Sequence, residues 1–421
     1  MKKNFLKFVC VLLAALMMVG CLTACGEEKK TAGPATADAQ ASASESTSAA
    51  EAAPAEAAGE INIALITNTT GDYAMYGIPV HNGALIYFNE VNAAGGINGK
   101  QLKIFEYDDK ADGVESVNAF NLAKEQNISA VLGSVLTGAT IALSDATYDA
   151  NMPQVTASAT AAGVTMIDPD DPNSEIRTNV FRSCFIDPFQ GEKMADYIYN
   201  KMGAKTVAIF YETGSDYSEG LKAAFEEKSA ELGLEIVDTE AFATGDKDYK
   251  AQMTNIAAKN PEVIYAPIYY GEAGLAVTAA RAAGCKAPFV GGDGFGSIKE
   301  YASAEDLEGT VYCSGYAPGT ESVAKFESDY KTIYGEEVPN MFAPLAYDAA
   351  MLLCEGLKAA EAKGLTAGTD EYRQAVIDGI KAVKGLQGIT GTYEFDQFNN
   401  PIKSAAIIEL SGGEESFKEM Y

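Results

Sequence analysis

The chain has no tryptophan and a single histidine, His81, in 421 residues. Histidine most often supplies the general base or metal ligand near neutral pH, so Ser-His-Asp chemistry and histidine-built metal sites have little to start from. Basic residues are also scarce: 31 Lys plus Arg stand against 59 Asp plus Glu, a net charge of −28. That sign repels phosphate backbones and anionic headgroups, which disfavours nucleic-acid binding. The seven cysteines form no CxxC pair, so neither zinc nor a redox motif is indicated. What is present suffices for ordinary cores, with 47% hydrophobic and 21% charged residues. At ~150 residues per domain, the length suggests two or three domains.

The N-terminus reads as an address. Lys2, Lys3 and Lys7 precede an apolar run over Phe8 to Val19, which is shorter than the ~20 residues of a spanning helix. Leu22-Thr23-Ala24-Cys25-Gly26 resembles the lipobox of bacterial lipoproteins. The resemblance implies a signal peptide over 1–24, cleavage before Cys25 and lipidation of that cysteine, with Cys21 as a second candidate. Residues 25–59 are mostly Ala, Ser, Thr, Glu, Gly and Pro without an aromatic, a composition that forms a disordered tether. As a flexible coil it reaches on the order of 30 Å. The later cysteines, Cys184, Cys285, Cys313 and Cys354, read as buried free thiols, with a disulfide among them as the alternative because sequence gives no distances.

From Ile61 onward strands and helices alternate. Strands are expected at Ile61 to Ile66, Leu102 to Tyr107, Ala130 to Gly133 and Gln154 to Thr156, with helices opening at Pro79, near Val114 and at Gly138. After a break at Asp168 to Asn173 the rhythm restarts, with strands at Val207 to Tyr211, Glu235 to Thr239, Val263 to Pro267 and Pro288 to Val290. Helices follow over Ser322 to Tyr334, Phe342 to Ala362 and Glu371 to Val383, then a strand pair around Gly391 to Phe395 and Ser404 to Leu410. The pattern predicts two doubly wound α/β lobes with parallel sheets. Open α/β sheets bind ligands beyond the carboxyl ends of their strands, so the strand-to-helix turns are where chemistry is expected.

Three such turns stand out. Gly133-Ser134-Val135-Leu136-Thr137-Gly138 enters a helix with small and hydroxylated residues. A helix start offers free N–H groups and a favourable dipole, so a carboxylate fits there, although Thr137 can instead cap the helix. The run lacks the GxxxxGKS/T pattern, which disfavours a nucleotide phosphate. Thr156-Ala157-Ser158-Ala159-Thr160 repeats the hydroxyl chemistry in the next turn. Gly291-Gly292-Asp293-Gly294-Phe295-Gly296 places one carboxylate among glycines, where it can pair with an ammonium or form an Asx-turn. Tyr76, Tyr217, Tyr269 and Phe342 recur in the same loops. Asp108-Asp109 reads as a solvated turn, and His81 as structural or solvent-facing.

Further segments complete the pattern: Gly71-Asp72-Tyr73-Ala74-Met75-Tyr76-Gly77, Asn89 to Gly99, Tyr217-Ser218-Glu219-Gly220, Ala279 to Gly284 and Ala346-Tyr347-Asp348-Ala349. In order and spacing, residues 60–410 resemble the solute-binding proteins of branched-chain amino acid ABC transporters, the Leu/Ile/Val-binding type with the type I periplasmic-binding-protein fold. The resemblance implies an α/β fold of two doubly wound lobes, 60–183 plus 318–397 and 184–317 plus 398–421, joined by three hinge strands near Ser183, Ala317 and Phe398. It implies carboxylate contacts from Thr137 and the backbone at Val135, contacts from Ser158 and Thr160, an ammonium contact from Asp293, and a wall of Tyr76, Tyr217, Tyr269 and Phe342. It further implies an amino-acid ligand, a membrane permease as partner, a monomer held to the outer face of the cell membrane by its lipid, and no cofactor, metal or catalysis. Type members carry Glu where this chain has Asp293, and a disulfide where it has Leu136 and Ala111, so neutral or aromatic amino acids, short amides, urea or a sensing role are the alternatives.

Overall fold

The computed structural model describes residues 59–421 apart from Pro172, so the leader, Cys25 and nearly all of the tether lie outside the described residues. Two sheets organise the chain. The first contains β1 (Glu60–Thr67), β2 (Gln101–Asp108), β3 (Ala130–Gly133), β4 (Gln154–Thr156) and β5 (Val180–Arg182), all parallel in the order β2-β1-β3-β4-β5. Its crossovers include α1 (Ala74–Ala93), α2 (Gly113–Lys124) and α3 (Thr137–Asp149). Parallel strands covered on both faces need continuous apolar runs, and β3 and β4 are buried at every residue.

After α4 (Asp187–Asp196) the same winding repeats through β6 (Thr206–Thr213), α5 (Asp216–Leu232), β7 (Glu235–Ala243), α6 (Lys250–Lys259), β8 (Val263–Tyr265), α7 (Tyr270–Ala282), β9 (Phe289–Gly291) and β10 (Val311–Ser314). The order β7-β6-β8-β9-β10 matches that of the first sheet, and β13 (Ala406–Ser411) and β14 (Glu414–Met420) extend it antiparallel beyond β10. Between β10 and β13 come α8 (Ala324–Tyr334), α9 (Phe342–Ala362), α10 (Asp370–Lys381) and a hairpin of β11 (Lys384–Gln387) and β12 (Thr392–Glu394). α9 packs on α1 and on β3 and β4 of the first sheet. The chain therefore passes between the sheets three times, over 183–186, 315–323 and 395–405.

Helix boundaries follow local chemistry. Asp112 caps α2 by accepting from Val114 and Glu115, Ser215 caps α5 through Ser218, and Gly233 ends α5 at φ 74°. Two expectations are corrected. The first helix starts at Ala74, so Pro79 lies inside it. Proline there removes the bond to the Met75 carbonyl, and Asn340 Nδ2 donates to that carbonyl instead at 2.8 Å. The expected pair of late strands does not form: β12 joins β11, and β13 inserts beside β10, because the edge of the second sheet offers it unpaired backbone groups. Among the described residues, Cys184, Cys285, Cys313 and Cys354 are buried and unpaired, and no helix is long and apolar enough to cross a membrane.

Candidate functional site

In both sheets the winding reverses between the first strand and its neighbour, at β1/β3 and at β6/β8, which is where open sheets leave a crevice. The turns leaving those strands face one another. Eight of the nine residues singled out from the sequence, all but Thr160, line a single cavity of about 260 Å³. Leu136 and Gly294 line it as well; each adjoins a predicted residue, and neither carries a polar side chain to signal it.

The first wall is built from backbone and hydroxyls. Leu136, not Thr137, is the N-cap of α3 and makes no side-chain capping bond, so Thr137 is the first helical residue and its hydroxyl is not spent on capping. The N–H groups of that turn have no intrahelical partner. The preceding turn is fixed from several sides. Gly133 has φ 136°, and a Cβ there would lie 2.1 Å from the Ile66 carbonyl, so only glycine fits. Gln154 Nε2 donates to Gly133 O (2.9 Å), Thr156 Oγ1 to Ser134 O (2.8 Å) and Ser158 Oγ to Val135 O (2.7 Å). Asp109, expected in a solvated turn, is fully buried and accepts from the hydroxyls of Ser116 and Ser134. Its carboxylate has moved inward because this turn supplies hydroxyl and backbone donors that replace water. Asp108 does keep the turn role, accepting from Thr69, Thr70 and Lys110. His81 meets Glu106 at 2.6 Å away from the cavity. Thr160 is buried and does not reach the cavity; its carbonyl accepts from the Asp187 N–H at 3.0 Å.

The opposite wall carries charge. Asp293 Oδ1 accepts from the Tyr217 hydroxyl (2.9 Å) and from Gln190 Nε2 (3.2 Å), while Gln190 Oε1 accepts from the Asp293 N–H (2.9 Å). The Tyr217 hydroxyl accepts in turn from the Gly294 N–H at 2.8 Å. A side chain at Gly294 would meet the Ile268 carbonyl and the Tyr217 hydroxyl at 2.7 Å, so this approach requires glycine. Burial pushes the Asp293 carboxyl up to about 6, against the lowering effect of its hydrogen bonds to Tyr217 and Gln190. Gln190 was not singled out from the sequence; its position in the first turns of α4 gave no motif. Tyr217 stacks on Tyr269 at 4.8 Å, and Tyr76 meets Phe342 edge-on at 4.9 Å, closing the apolar sides.

Bonds cross directly between the two walls. The Tyr76 hydroxyl donates to Gly294 O (2.5 Å) and accepts from the Tyr270 N–H (3.1 Å). Tyr270 OH donates to Asp72 O (2.6 Å), and Asn340 Nδ2 to Ser297 Oγ (3.0 Å). The arrangement is a closed cleft with hydrogen-bond donors on one side and a buried acid on the other.

Comparison with known proteins agrees with this architecture. Residues 60–414 match the family model described as periplasmic binding protein. A Leu/Ile/Val-binding protein of Rhizobium johnstonii, BraC3, is 30% identical over 343 residues, covering 81% of this chain and 89% of the relative. The crystal structure of the branched-chain amino acid transporter substrate-binding protein LivJ from Streptococcus pneumoniae, in complex with isoleucine, superposes with a TM-score of 0.75 at 32% identity, covering 85% of this chain and 99% of that one. The leucine-binding protein LivK of Thermotoga maritima gives 0.76 at 29% identity, over 86% and 98%. With the fold, the facing turns and the matched length in agreement, the chain belongs to the periplasmic binding protein family of solute-binding proteins.

Proposed function

We propose that this protein is the extracytoplasmic solute-binding component of an ABC importer, taking an amino acid of the Leu/Ile/Val type into the cleft and delivering it to a membrane permease. The observation that carries the reading is the placement of one buried acid, Asp293, across a small cavity from the donor-rich start of α3. An α-amino acid presents an anion and a cation on one carbon. Thr137 and the N–H groups around it would take the carboxylate, with Ser158 beside them, and Asp293 would take the ammonium. The apolar side chain would lie against Leu136, Phe342 and the stacked tyrosines. The isoleucine complex of the pneumococcal relative supports a branched aliphatic occupant.

Binding proceeds by closure. The lobes 60–183 plus 318–397 and 184–317 plus 398–421 swing about the three passages, ligand settles on one, and the other closes over it. The closed form then docks on the permease as a monomer, held at the membrane by Cys25. The chain acts as a binder: the cavity brings a buried acid, hydroxyls and tyrosines together, groups suited to holding a zwitterion. Micromolar affinity corresponds to about −8.2 kcal/mol, which one ammonium pair, the carboxylate contacts and a buried side chain can supply after association costs.

A thermal-shift screen tests this on the mature chain, stripped of carried-over ligand by unfolding and refolding. Stabilisation by L-Leu, L-Ile or L-Val supports the reading. Stabilisation by amides or nucleosides alone keeps the closure mechanism and overturns the roles of Asp293 and Thr137.

A further inference from the structure

At the rim of the cleft, outside the cavity, a loop of the first lobe is gripped by the second. Gly71-Asp72-Tyr73 leaves β1 of the first sheet and enters α1. The loop is fixed to its own lobe: Asn68 Nδ2 donates to Tyr73 O at 2.7 Å, and a Cβ at Gly77 would lie 1.9 Å from the Asn68 carbonyl, so the start of α1 is locked onto the end of β1. Facing it is the start of α7, which follows β8 of the second sheet. That helix is seated as closely on its own side, since a Cβ at Gly274 would meet the Tyr301 side chain at 2.5 Å.

Three side chains of the second lobe reach the loop. Tyr270 OH donates to Asp72 O at 2.6 Å, and Glu272 Oε1 accepts from the Tyr73 hydroxyl at 3.3 Å. Lys247 Nζ, bonded to the same Glu272 oxygen at 3.2 Å, lies 4.0 Å from Asp72 Oδ2. The short bond of Tyr270 is the strong member; the Tyr73 bond is long, and the Lys247–Asp72 pair is exposed on both sides and adds little. None of these residues lines the cavity, yet they back its walls. The Tyr270 ring meets Tyr76 edge-on at 4.5 Å while its N–H donates to the Tyr76 hydroxyl, and Tyr73 meets Tyr269 edge-on at 5.3 Å.

The geometry points to Tyr270 as a positioning residue that, with Tyr73 and Glu272, clasps the two lobes together at the rim and sets how long the closed cleft retains its ligand. This rests on the closure reading above. The bonds Tyr270–Asp72 and Tyr73–Glu272 each join one lobe to the other, so both break when the lobes part. An arriving ligand meets the open form, in which neither exists. Bonds made only after encounter slow escape without speeding arrival. Burial pushes both phenols well above their ordinary value, so Tyr73 and Tyr270 stay hydrogen donors through neutral and mildly alkaline pH.

Stopped-flow kinetics of L-leucine with the mature protein and with Tyr270→Phe test this, because the substitution keeps the ring and the N–H and removes only the hydroxyl. Expected is a dissociation rate at least about fivefold faster with an association rate within about twofold of wild type, and a smaller gain of about twofold in dissociation for Tyr73→Phe. A Tyr270→Phe dissociation rate within about twofold of wild type, or a loss carried by association instead, overturns the proposal. A second readout needs no ligand. A carbodiimide joins an amine to a carboxylate where the two touch, so a Lys247–Asp72 cross-link, identified by peptide mass spectrometry, reports the closed form. If leucine fails to bind, the ligand assignment falls, yet the yield of this cross-link must still drop at least about threefold in Tyr270→Phe. Equal yields, or no cross-link in either protein, overturn the proposal.

Discussion

The two walls of the cavity solve opposite problems with different materials. The wall of the first lobe uses neutral groups, namely a helix start, the Thr137 hydroxyl and a turn pinned by Gln154, Thr156 and Ser158. It can meet an anion with no positive side chain, because preorganised N–H groups and the helix dipole provide the field. The wall of the second lobe uses one full charge held in a dry setting, with Tyr217 and Gln190 clamping a single oxygen of Asp293. On the proposed reading, many weak, redundant donors make the first wall tolerant of single losses, whereas the second concentrates its recognition in one group. This asymmetry fixes the ranking of the mutational effects.

Asp293→Ala has the largest expected consequence. It leaves a ligand ammonium unpaired in the closed cleft, costing at least about 2 kcal/mol, or roughly 30-fold in affinity; calorimetric titration measures it, and a loss under about threefold removes Asp293 from the site. Acidification probes the same wall more gently. Only the carboxylate pairs with an ammonium, and Asp293 is pushed up to about 6, so affinity falls about tenfold between neutral pH and about pH 5, and Asp293→Asn abolishes that dependence. Stability of the ligand-free protein moves the other way. An acid whose value is raised by folding holds its proton more tightly folded than unfolded, so its contribution grows as pH falls below about 6 and is lost as pH rises through it. Thermal melts of the ligand-free wild type and Asp293→Asn across this range display the difference. Thr137→Ala, on the redundant wall, has the smallest effect, about 1 kcal/mol or fivefold, because the N–H groups beside it remain. If Thr137→Ala matches Asp293→Ala, the contrast between the walls is wrong.

Much of this was legible in the sequence because strand-to-helix turns in a parallel sheet all open on one edge, so the order of elements alone gathers Val135, Ser158, Tyr217, Tyr269 and Asp293. What escaped depended on distance between lobes or between distant segments. Gln190 reaches Asp293 across 103 positions, and Asn340 reaches the Met75 carbonyl freed by Pro79 across 265. Asp109 resembles any acidic turn until Ser116 and Ser134 are brought against it. Thr160 shares the composition of its neighbours, yet the chain has turned away from the cavity by that point. The late strands were placed correctly as segments but paired wrongly, since a sheet edge created by β10 is invisible locally.

The central claim, a zwitterion held between the two walls, is tested most directly by titrating the mature protein with L-leucine and with its two deletion analogues, 4-methylpentanoate lacking the amine and 3-methylbutylamine lacking the carboxylate. Binding of L-leucine with at least about 30-fold loss for the deaminated analogue, and a comparable loss for the decarboxylated one, is the predicted result. Binding of either analogue within about threefold of leucine would contradict the account, because one of the two walls would then not be recognising a charge.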